Sequence, residues 1–396
     1  MIQISPETQL FIREHSSDDV RTLALQAKKY PDINMPTAIT QIAGRQVAAE
    51  KIPSWREIEE IWYPKHLSLE QCSSEITARY KARLFQGDSL TDPTGGFGID
   101  CSFLATGFKS ATYVERQEEL CEIAAHNFPI LNLNHINVRN EDGVAYLQTM
   151  SPVDCIFLDP ARRNEHGGKT VAISDCEPNV AELEALLLSK ANRVMIKLSP
   201  MLDLSLALKE LKHTQEIHIL SVNNECKELL ILLRQTSPAE IAIHCVNLLT
   251  KGTQEEQHLV FTREQEQRSQ CTYTDSLGNY LYEPNASLLK AGAFRSIAAA
   301  YPVRKLHPNS HLYISDSFIE NFPGRIFRIV NQCSFNKKEV KENLADLKKA
   351  NVTVRNFPAT VAELRKRLHL TEGGDTYLFA STLNNGQKVI IRCEKV

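Results

Sequence analysis

The chain has 396 residues, 42% of them hydrophobic and 23% charged, and a formal net charge of −3. That length exceeds one ordinary hydrophobic core and predicts two or three domains. No run of about 18 apolar residues occurs, so no membrane span is expected. The charge is uneven: residues 286–396 hold 18 Lys/Arg against 9 Asp/Glu, a balance of +9, which leaves 27 against 39, a balance of −12, for the rest. A basic segment joined to an acidic one suits a polyanionic partner, although a solvated helical surface produces the same composition.

The first residues, Met1 to Arg13, carry an early Glu7 and no long apolar core, so they do not read as a secretory signal. The ten cysteines are scattered singly, with no Cys-x-x-Cys pair and no zinc-ligand spacing. A cytoplasmic protein with reduced thiols is the expectation.

Residues 1–70 read as a helical N-terminal domain. Ser16-Ser17-Asp18-Asp19 is a helix-start cluster, and Val20, Leu23, Ala24 and Ala27 follow at the spacing of one helical face. A second helix is predicted over 37–50, and Pro53 and Pro64 bracket a short segment.

From 71 to 285 strands and helices alternate. Strands are predicted at 90–91, 110–114, 136–139, 153–158 and 193–198, with helices at 77–84, 102–106, 117–127, 142–147 and 180–189. Such alternation implies a largely parallel sheet covered by helices on both faces. Residues 216–222 and 227–234 flank Asn223-Asn224-Glu225-Cys226 as a hairpin, and 241–261 extends that edge. Residues 286–396 read as a small α/β unit: helices at 286–300, 336–350 and 361–368, strands at 325–333 and 352–355, and a hairpin of 376–383 with 388–393 across Asn384-Asn385-Gly386.

Two strand ends carry the chemistry. Asp92-Pro93-Thr94-Gly95-Gly96-Phe97-Gly98-Ile99-Asp100 is a strand running into a glycine-rich turn and a helix. Such a turn lets backbone approach a ligand, and the helix start offers free N–H groups. The dinucleotide pattern Gly-x-Gly-x-x-Gly is incomplete, because Cys101 stands where the last glycine belongs. Glu115, 20 residues after Gly95, ends the next strand, where a carboxylate can accept from both hydroxyls of a ribose or can simply cap a helix. Asp142 at the following strand end can accept from an adenine amino group, with Gly143 permitting close approach, or can act as an N-cap. Asp159 follows the apolar strand Cys155 to Leu158 and is stiffened by Pro160. It is aimed into the crevice beyond the strand ends, where it can hold or deprotonate an incoming amine; the plain alternative is an Asp-Pro turn.

Arg162 and Arg163 can grip a phosphate or carboxylate, or pair locally with Glu165. Lys197-Leu198-Ser199-Pro200 closes another strand end, as pocket lining or as a turn. No cysteine has the context of a covalent nucleophile, and the histidines, His307 and His311 included, show no converging ligand set, so no metal is expected. Lys337, Lys338, Lys341, Lys348 and Lys349 fall on one predicted helix, with Arg365, Lys366 and Arg367 on the next, an arrangement suited to phosphate contacts in RNA.

These motifs resemble the class I S-adenosylmethionine-dependent methyltransferases, and more closely the bacterial proteins that join such a domain to a C-terminal THUMP-like domain. The likeness rests on Asp92–Asp100, Glu115, Asp142-Gly143, Asp159–Arg163 and, more loosely, Glu283-Pro284 through Gly292 with Ser310–Asp316. It implies a Rossmann-like methyltransferase sheet over 71–285 and a THUMP-like RNA-binding unit over 286–396. It also implies an S-adenosylmethionine site from Asp92, Thr94, Gly95, Gly96, Gly98, Glu115, Asp142 and Gly143, in which the glycines pass under the methionine part, Glu115 holds the ribose and Asp142 the adenine. Asp159, Pro160 and Arg162 would then face the methyl acceptor, a tRNA or rRNA base. One departure stands out: enzymes that methylate exocyclic amines carry Pro and then a stacking aromatic where this chain has Ala161 and Arg162. A methyltransferase for a protein or small molecule, and a catalytically silent RNA-binding protein, are the alternatives.

Overall fold

The computed structural model describes residues 4–162, 172–236, 238–252 and 255–396, without the side chains of 66–68 and 162. The chain forms two compact units, one of residues 1–215 with 230–238 and another of 216–229 with 239–396.

The first unit is built on parallel strands β1 (Gly87–Asp92), β2 (Phe108–Glu115), β3 (Ile136–Asn140) and β4 (Val153–Leu158), with a further strand Ala191–Leu198. β1 pairs in parallel with β2 on one side and β4 on the other; β3 extends the β2 side and Ala191–Leu198 the β4 side. Residues Leu230–Leu233 lie beyond Ala191–Leu198. The buried stretch Cys155–Leu158 is a continuous apolar run, as expected of a strand covered on both faces. Helices Ile99–Ala105, Glu118–Ile130, Gly143–Thr149 and Val180–Lys190 connect the strands.

The N-terminal helices serve this sheet. Met35–Lys51 starts at Asn34, whose side chain accepts from the Thr37 N–H. Trp55, Ile61 and Tyr63 share one buried cluster with Phe97, Ile99 and Ile123, so residues of the first 70 pack directly under the glycine turn. The Trp55 and Phe97 rings meet edge-on at 5.4 Å between centroids. A separate small cluster is formed by Phe11, Ile12, Leu23, Met35, Ala38 and Ile42.

In the second unit Ala242–Leu248 pairs in parallel with the strand Thr214–Val222 over its residues 216–222 and antiparallel with Glu256–Thr262. The Asn223-Asn224 turn has positive φ at both residues (48° and 70°), a two-residue hairpin turn, and the returning strand starts at Glu225 rather than Lys227. A seven-stranded sheet follows, in the order Arg304–Lys305, Tyr313–Ser315, Tyr280–Pro284, Gly324–Ser334, Lys388–Lys395, Thr376–Thr382, Asn351–Arg355. It takes in Tyr280–Pro284, upstream of the boundary expected at 286.

Two predicted helices are shorter than expected. The 286–300 segment breaks at Gly292, whose φ of 75° ends one helix, and a second runs Phe294–Ala300. The 336–350 helix stops at Leu344. Beyond it the backbone turns to pair with another segment: Ala350 N–H donates to the Thr371 carbonyl at 3.1 Å, and Asp346 binds Arg392 at 3.0 Å. Among the described residues no helix is long and apolar enough to cross a membrane.

Candidate active site

Parallel pairing brings the carboxyl ends of β1, β2, β4 and Ala191–Leu198 to one edge of the sheet. The chain winds outward from β1 through β2 to β3 and returns on the other side as β4, so the order reverses between β1 and β4. In open α/β sheets the crevice at such a reversal is where ligands bind.

The β1 and β4 ends are tied together by a single hydroxyl. The Asp159 N–H donates to Thr94 Oγ1 at 2.7 Å, and Thr94 Oγ1 in turn donates to Asp92 Oδ1 at 3.1 Å. The Thr94 N–H adds a bond to the same Asp92 oxygen at 3.0 Å. Asp92 is buried at 1% exposure, and that burial pushes its carboxyl up to about 8 despite the Thr94 bonds, with Asp100 and Asp159 adding to the rise.

Beneath this edge lies a charge network. Lys197 Nζ contacts Asp159 Oδ2 and reaches Asp100 Oδ2 at 3.3 Å. Lys81, fully buried on the helix Glu75–Leu84, binds Asp100 Oδ1 at 2.8 Å. The Ser73 hydroxyl donates to Asp100 Oδ2 at 2.7 Å and accepts from Lys81 Nζ at 2.8 Å and Lys197 Nζ at 3.0 Å. Two ammonium groups and two carboxylates are thus mutually compensated, the condition under which buried charge is tolerated. Burial pushes the Asp100 carboxyl up, but Lys81 and Lys197 outweigh it and bring it down to about 2. Asp159 is raised by burial, although Lys197 opposes the rise; its side chain keeps 36% of its surface open. It is the member of the network that reaches the crevice.

The glycine turn meets β2 through Glu115. Glu115 Oε2 accepts the Gly96 N–H at 3.0 Å, and Oε1 accepts the Gln117 N–H at 2.8 Å. At Gly96, φ is 53° and only the Thr94 carbonyl lies within 4 Å of where a Cβ would stand, so its face is open. Gly98 caps the helix Ile99–Ala105 in the left-handed conformation, φ 85°.

In the second unit Glu283, 2% exposed, is held by Arg325 Nε at 2.8 Å and Arg355 Nη2 at 3.0 Å. Lys337, Lys338 and Lys341 lie exposed on the helix Lys337–Leu344. Lys348 and Lys349 are exposed but stand past its end, because that helix is shorter than the sequence suggested. On Val361–Leu368, Lys366 is exposed, Arg365 pairs with Glu372 at 2.9 Å and Arg367 covers the Phe335 ring at 4.1 Å.

The comparisons with known proteins bear on both units. A ferredoxin-like domain family matches residues 280–323, and a THUMP domain-like family matches 324–395. A crystal structure from Porphyromonas gingivalis W83, of a protein proposed to be a methyltransferase, is 34% identical over 100% of both chains, with a TM-score of 0.88. The chain belongs to that family, the class I methyltransferases with a C-terminal THUMP-like domain. Two other solved structures are similar over a smaller part. A proposed methyltransferase of Streptococcus mutans, in complex with S-adenosylhomocysteine, is 12% identical over 40% of this chain and 96% of its own, TM-score 0.30. TrmK of M. capricolum, also with S-adenosylhomocysteine, is 12% identical over 41% of this chain and 68% of its own, TM-score 0.32. No curated protein sequence matches the chain.

In this methyltransferase-family chain the sequence motifs do gather at one sheet edge, but several residues there have a structural task. A Cβ on Gly95 would stand 2.3 Å from the Tyr113 ring, and one on Gly143 would stand 2.0 Å from the Pro93 carbonyl oxygen. The close approach that Gly143 permits is therefore to the β1 turn. Asp142 caps its helix, with Oδ1 accepting from the Val144 and Ala145 N–H groups at 3.0 and 2.9 Å. Pro160 follows Asp159 as a buried residue, and Ala161–Arg162 forms a short strand with Cys176–Glu177. The Arg162 side chain, Arg163 and Glu165 lie outside the described residues.

Sequence reasoning left Lys197 undecided and passed over Lys81 and Ser73. The available clue was a lysine inside the apolar run Val194–Leu198, where an unpaired ammonium would be costly. Cys72 Sγ donates to the Leu69 carbonyl at 3.0 Å, and burial pushes its thiol up to about 11, so it is no thiolate nucleophile.

Proposed function

We propose that this chain transfers a methyl group from S-adenosylmethionine to a base of RNA, a tRNA or an rRNA, with Asp159 positioning the acceptor. The observation that carries this reading is the placement of Asp159: it is bonded through its N–H to the glycine-turn residue Thr94 and through its carboxylate to Lys197, at the strand-order reversal. S-adenosylmethionine supplies an electrophilic methyl group on a sulfonium, and its displacement needs chiefly alignment of donor and acceptor.

The residues present fit that cofactor. Each Glu115 oxygen accepts one backbone N–H and keeps a second lone pair for a ribose hydroxyl. Gly96 leaves its face open to the methionine part, and Asp142 Oδ2 remains for the adenine amino group once Oδ1 has capped its helix. Thr94 fixes the turn and Asp92 fixes Thr94, while Gly95, Gly98 and Gly143 set the path of the chain around the cofactor. Asp159 accepts a hydrogen bond from the acceptor and Pro160 holds its backbone. Arg162 offers a cation to the RNA backbone.

Because Ala161 and Arg162 replace the proline and aromatic of amine-methylating enzymes, base stacking has to come from elsewhere in the complex. That same replacement favours, as a second reading, a protein or small-molecule acceptor. RNA binding that is absent, or insensitive to salt, would support it.

The decisive experiment is calorimetric titration with S-adenosylmethionine and S-adenosylhomocysteine, for wild type and Glu115→Ala. The expected result is binding in the micromolar range that Glu115→Ala weakens by about 10-fold or more, the cost of a lost charge-assisted hydrogen bond. Screening RNA from a strain lacking the protein would then find the substrate. No binding of either compound would sink the proposal and leave an RNA-binding protein without catalysis.

A further inference from the structure

The histidines are scattered in sequence, but three of them converge on the strands of the second unit. His218 stands opposite His244 in the parallel register of 216–222 with Ala242–Leu248. Glu216, two residues before His218, projects from the same face. His258 lies opposite Val246, two residues beyond His244, and so joins that face from Glu256–Thr262. The His218 and His244 rings stack at 4.3 Å between centroids. Glu216 Oε2 lies 3.3 Å from His218 Nε2 and 3.9 Å from His244 Nε2. One ligand atom from each of these three residues falls within 4.8 Å of the others.

We propose that Glu216, His218 and His244 bind a divalent transition-metal ion of the zinc class, with His258 orienting His244. A tetrahedral ion with bonds of about 2.0–2.2 Å holds its ligand atoms about 3.3–3.5 Å apart. The Glu216 to His218 distance already matches, that to His244 is about half an ångström longer, and the two rings, 12° between planes, tilt apart for both to face one ion. Two imidazoles and one carboxylate are a favoured set for such ions, and they leave a fourth position for water on the side where Glu216 is 38% exposed. His244 Nδ1 lies 3.2 Å from His258 Nε2. A proton on Nδ1 donated to His258 leaves His244 Nε2 with its lone pair toward the ion, the orienting role usual for the partner of a metal-bound histidine. The site joins two neighbouring strands of the sheet, and it is independent of the methyl-transfer reading.

The test uses the full, untagged, reduced chain, titrated with Zn²⁺ in competition with a chromophoric chelator and with Co²⁺ followed by visible absorption. The expected result is one equivalent bound and visible d–d bands without a thiolate charge-transfer band, which separates this site from the ten cysteines. The same ion raises the thermal midpoint of wild type. His244→Gln is expected to lose the site and the thermal shift while its metal-free melting and circular dichroism match wild type. His258→Gln is expected to weaken affinity about 10- to 100-fold, as for other residues that orient a ligand. No binding, binding that is the same in wild type and His244→Gln, or Co²⁺ spectra dominated by thiolate would each overturn the proposal.

Discussion

The Lys197 ammonium meets the Asp159 carboxylate at the mouth of the crevice, and the same ammonium reaches Asp100 behind it. Lys197 therefore does two things: it opposes the upward push of burial on the Asp159 carboxyl, and it fixes where that carboxyl points. Replacing Asp159 with Ala is expected to leave cofactor affinity within about threefold and to lower methyl transfer 10²-fold or more, the scale of a lost acid–base or positioning group. Tritiated-methyl incorporation into RNA beside calorimetry measures both, and unchanged turnover removes Asp159 from the mechanism.

Lys197→Met is expected to act on stability as well. It leaves Asp159 and Asp100 near one another with Lys81 as their remaining cation. Breaking a buried ion network by removing one partner costs about 3–5 kcal/mol. Urea unfolding followed by tryptophan emission is a suitable measurement, because Trp55 belongs to the core beside the glycine turn. A loss below about 1 kcal/mol would mean that the network is not compensated in the way described.

The framework of the first unit was legible from sequence because strand-like and helix-like segments alternate between turn residues, and because β4 and Ala191–Leu198 hold apolar runs. Val153–Leu158 was expected over those residues and found there, and the ends of β1 and β2 fall where Asp92 and Glu115 mark them. What could not be read were tertiary substitutions for local structure. The 336–350 helix had the right periodicity, but the pairing of Ala350 with Thr371 took its last turn away. The charge network was invisible for a related reason: Ser73, Lys81, Asp100 and Lys197 are far apart in sequence, and only the fold brings them together. Glycines were legible as a motif but not as individuals, since Gly95 and Gly96 are neighbours with opposite surroundings.

That contrast makes the glycines a direct test. Gly95→Ala drives a methyl group into the Tyr113 ring, and Gly143→Ala drives one into the Pro93 carbonyl. Both are expected to lower the thermal midpoint markedly, since backbone and a packed ring cannot step aside. Gly96→Ala meets no atom closer than 3.8 Å and incurs only the strain of a positive φ, about 1–2 kcal/mol. Its methyl group would occupy the open face of the turn, so cofactor affinity is expected to fall while the midpoint drops by less than in the other two variants. If Gly96→Ala binds S-adenosylmethionine as wild type does, the cofactor does not pass over that face.

Asp92 gives the pH dependence a definite sign. Its folded carboxyl titrates near 8 against an ordinary 3.8, so the folded chain holds a proton that the unfolded chain has released. The associated stability is full below about pH 4 and is lost as pH rises through about 8. Asp92→Asn keeps an oxygen to accept from Thr94 and removes the titration. The variant is expected to be more stable than wild type at pH 8, by a few kcal/mol at most, and the gain should shrink toward pH 5. Thermal midpoints measured across that range decide it; parallel curves would place the Asp92 carboxyl in its ordinary range.

The basic residues of the second unit fall into two groups that predict different phenotypes. Arg365 and Arg367 are engaged, one by Glu372 and the other by the Phe335 ring, so their loss costs packing as well as charge. Lys337, Lys338 and Lys341 project from one exposed helix and are the residues to remove when RNA contact alone is to be tested. A triple Lys→Ala variant at these positions is expected to melt as wild type does and to bind RNA more weakly. If all three reach phosphates of a single strand, the slope of log affinity against log salt should fall by about 2, three contacts at about 0.7 each. An unchanged slope in fluorescence-anisotropy titrations would move RNA contact elsewhere on the chain and leave this helix as a solvated surface.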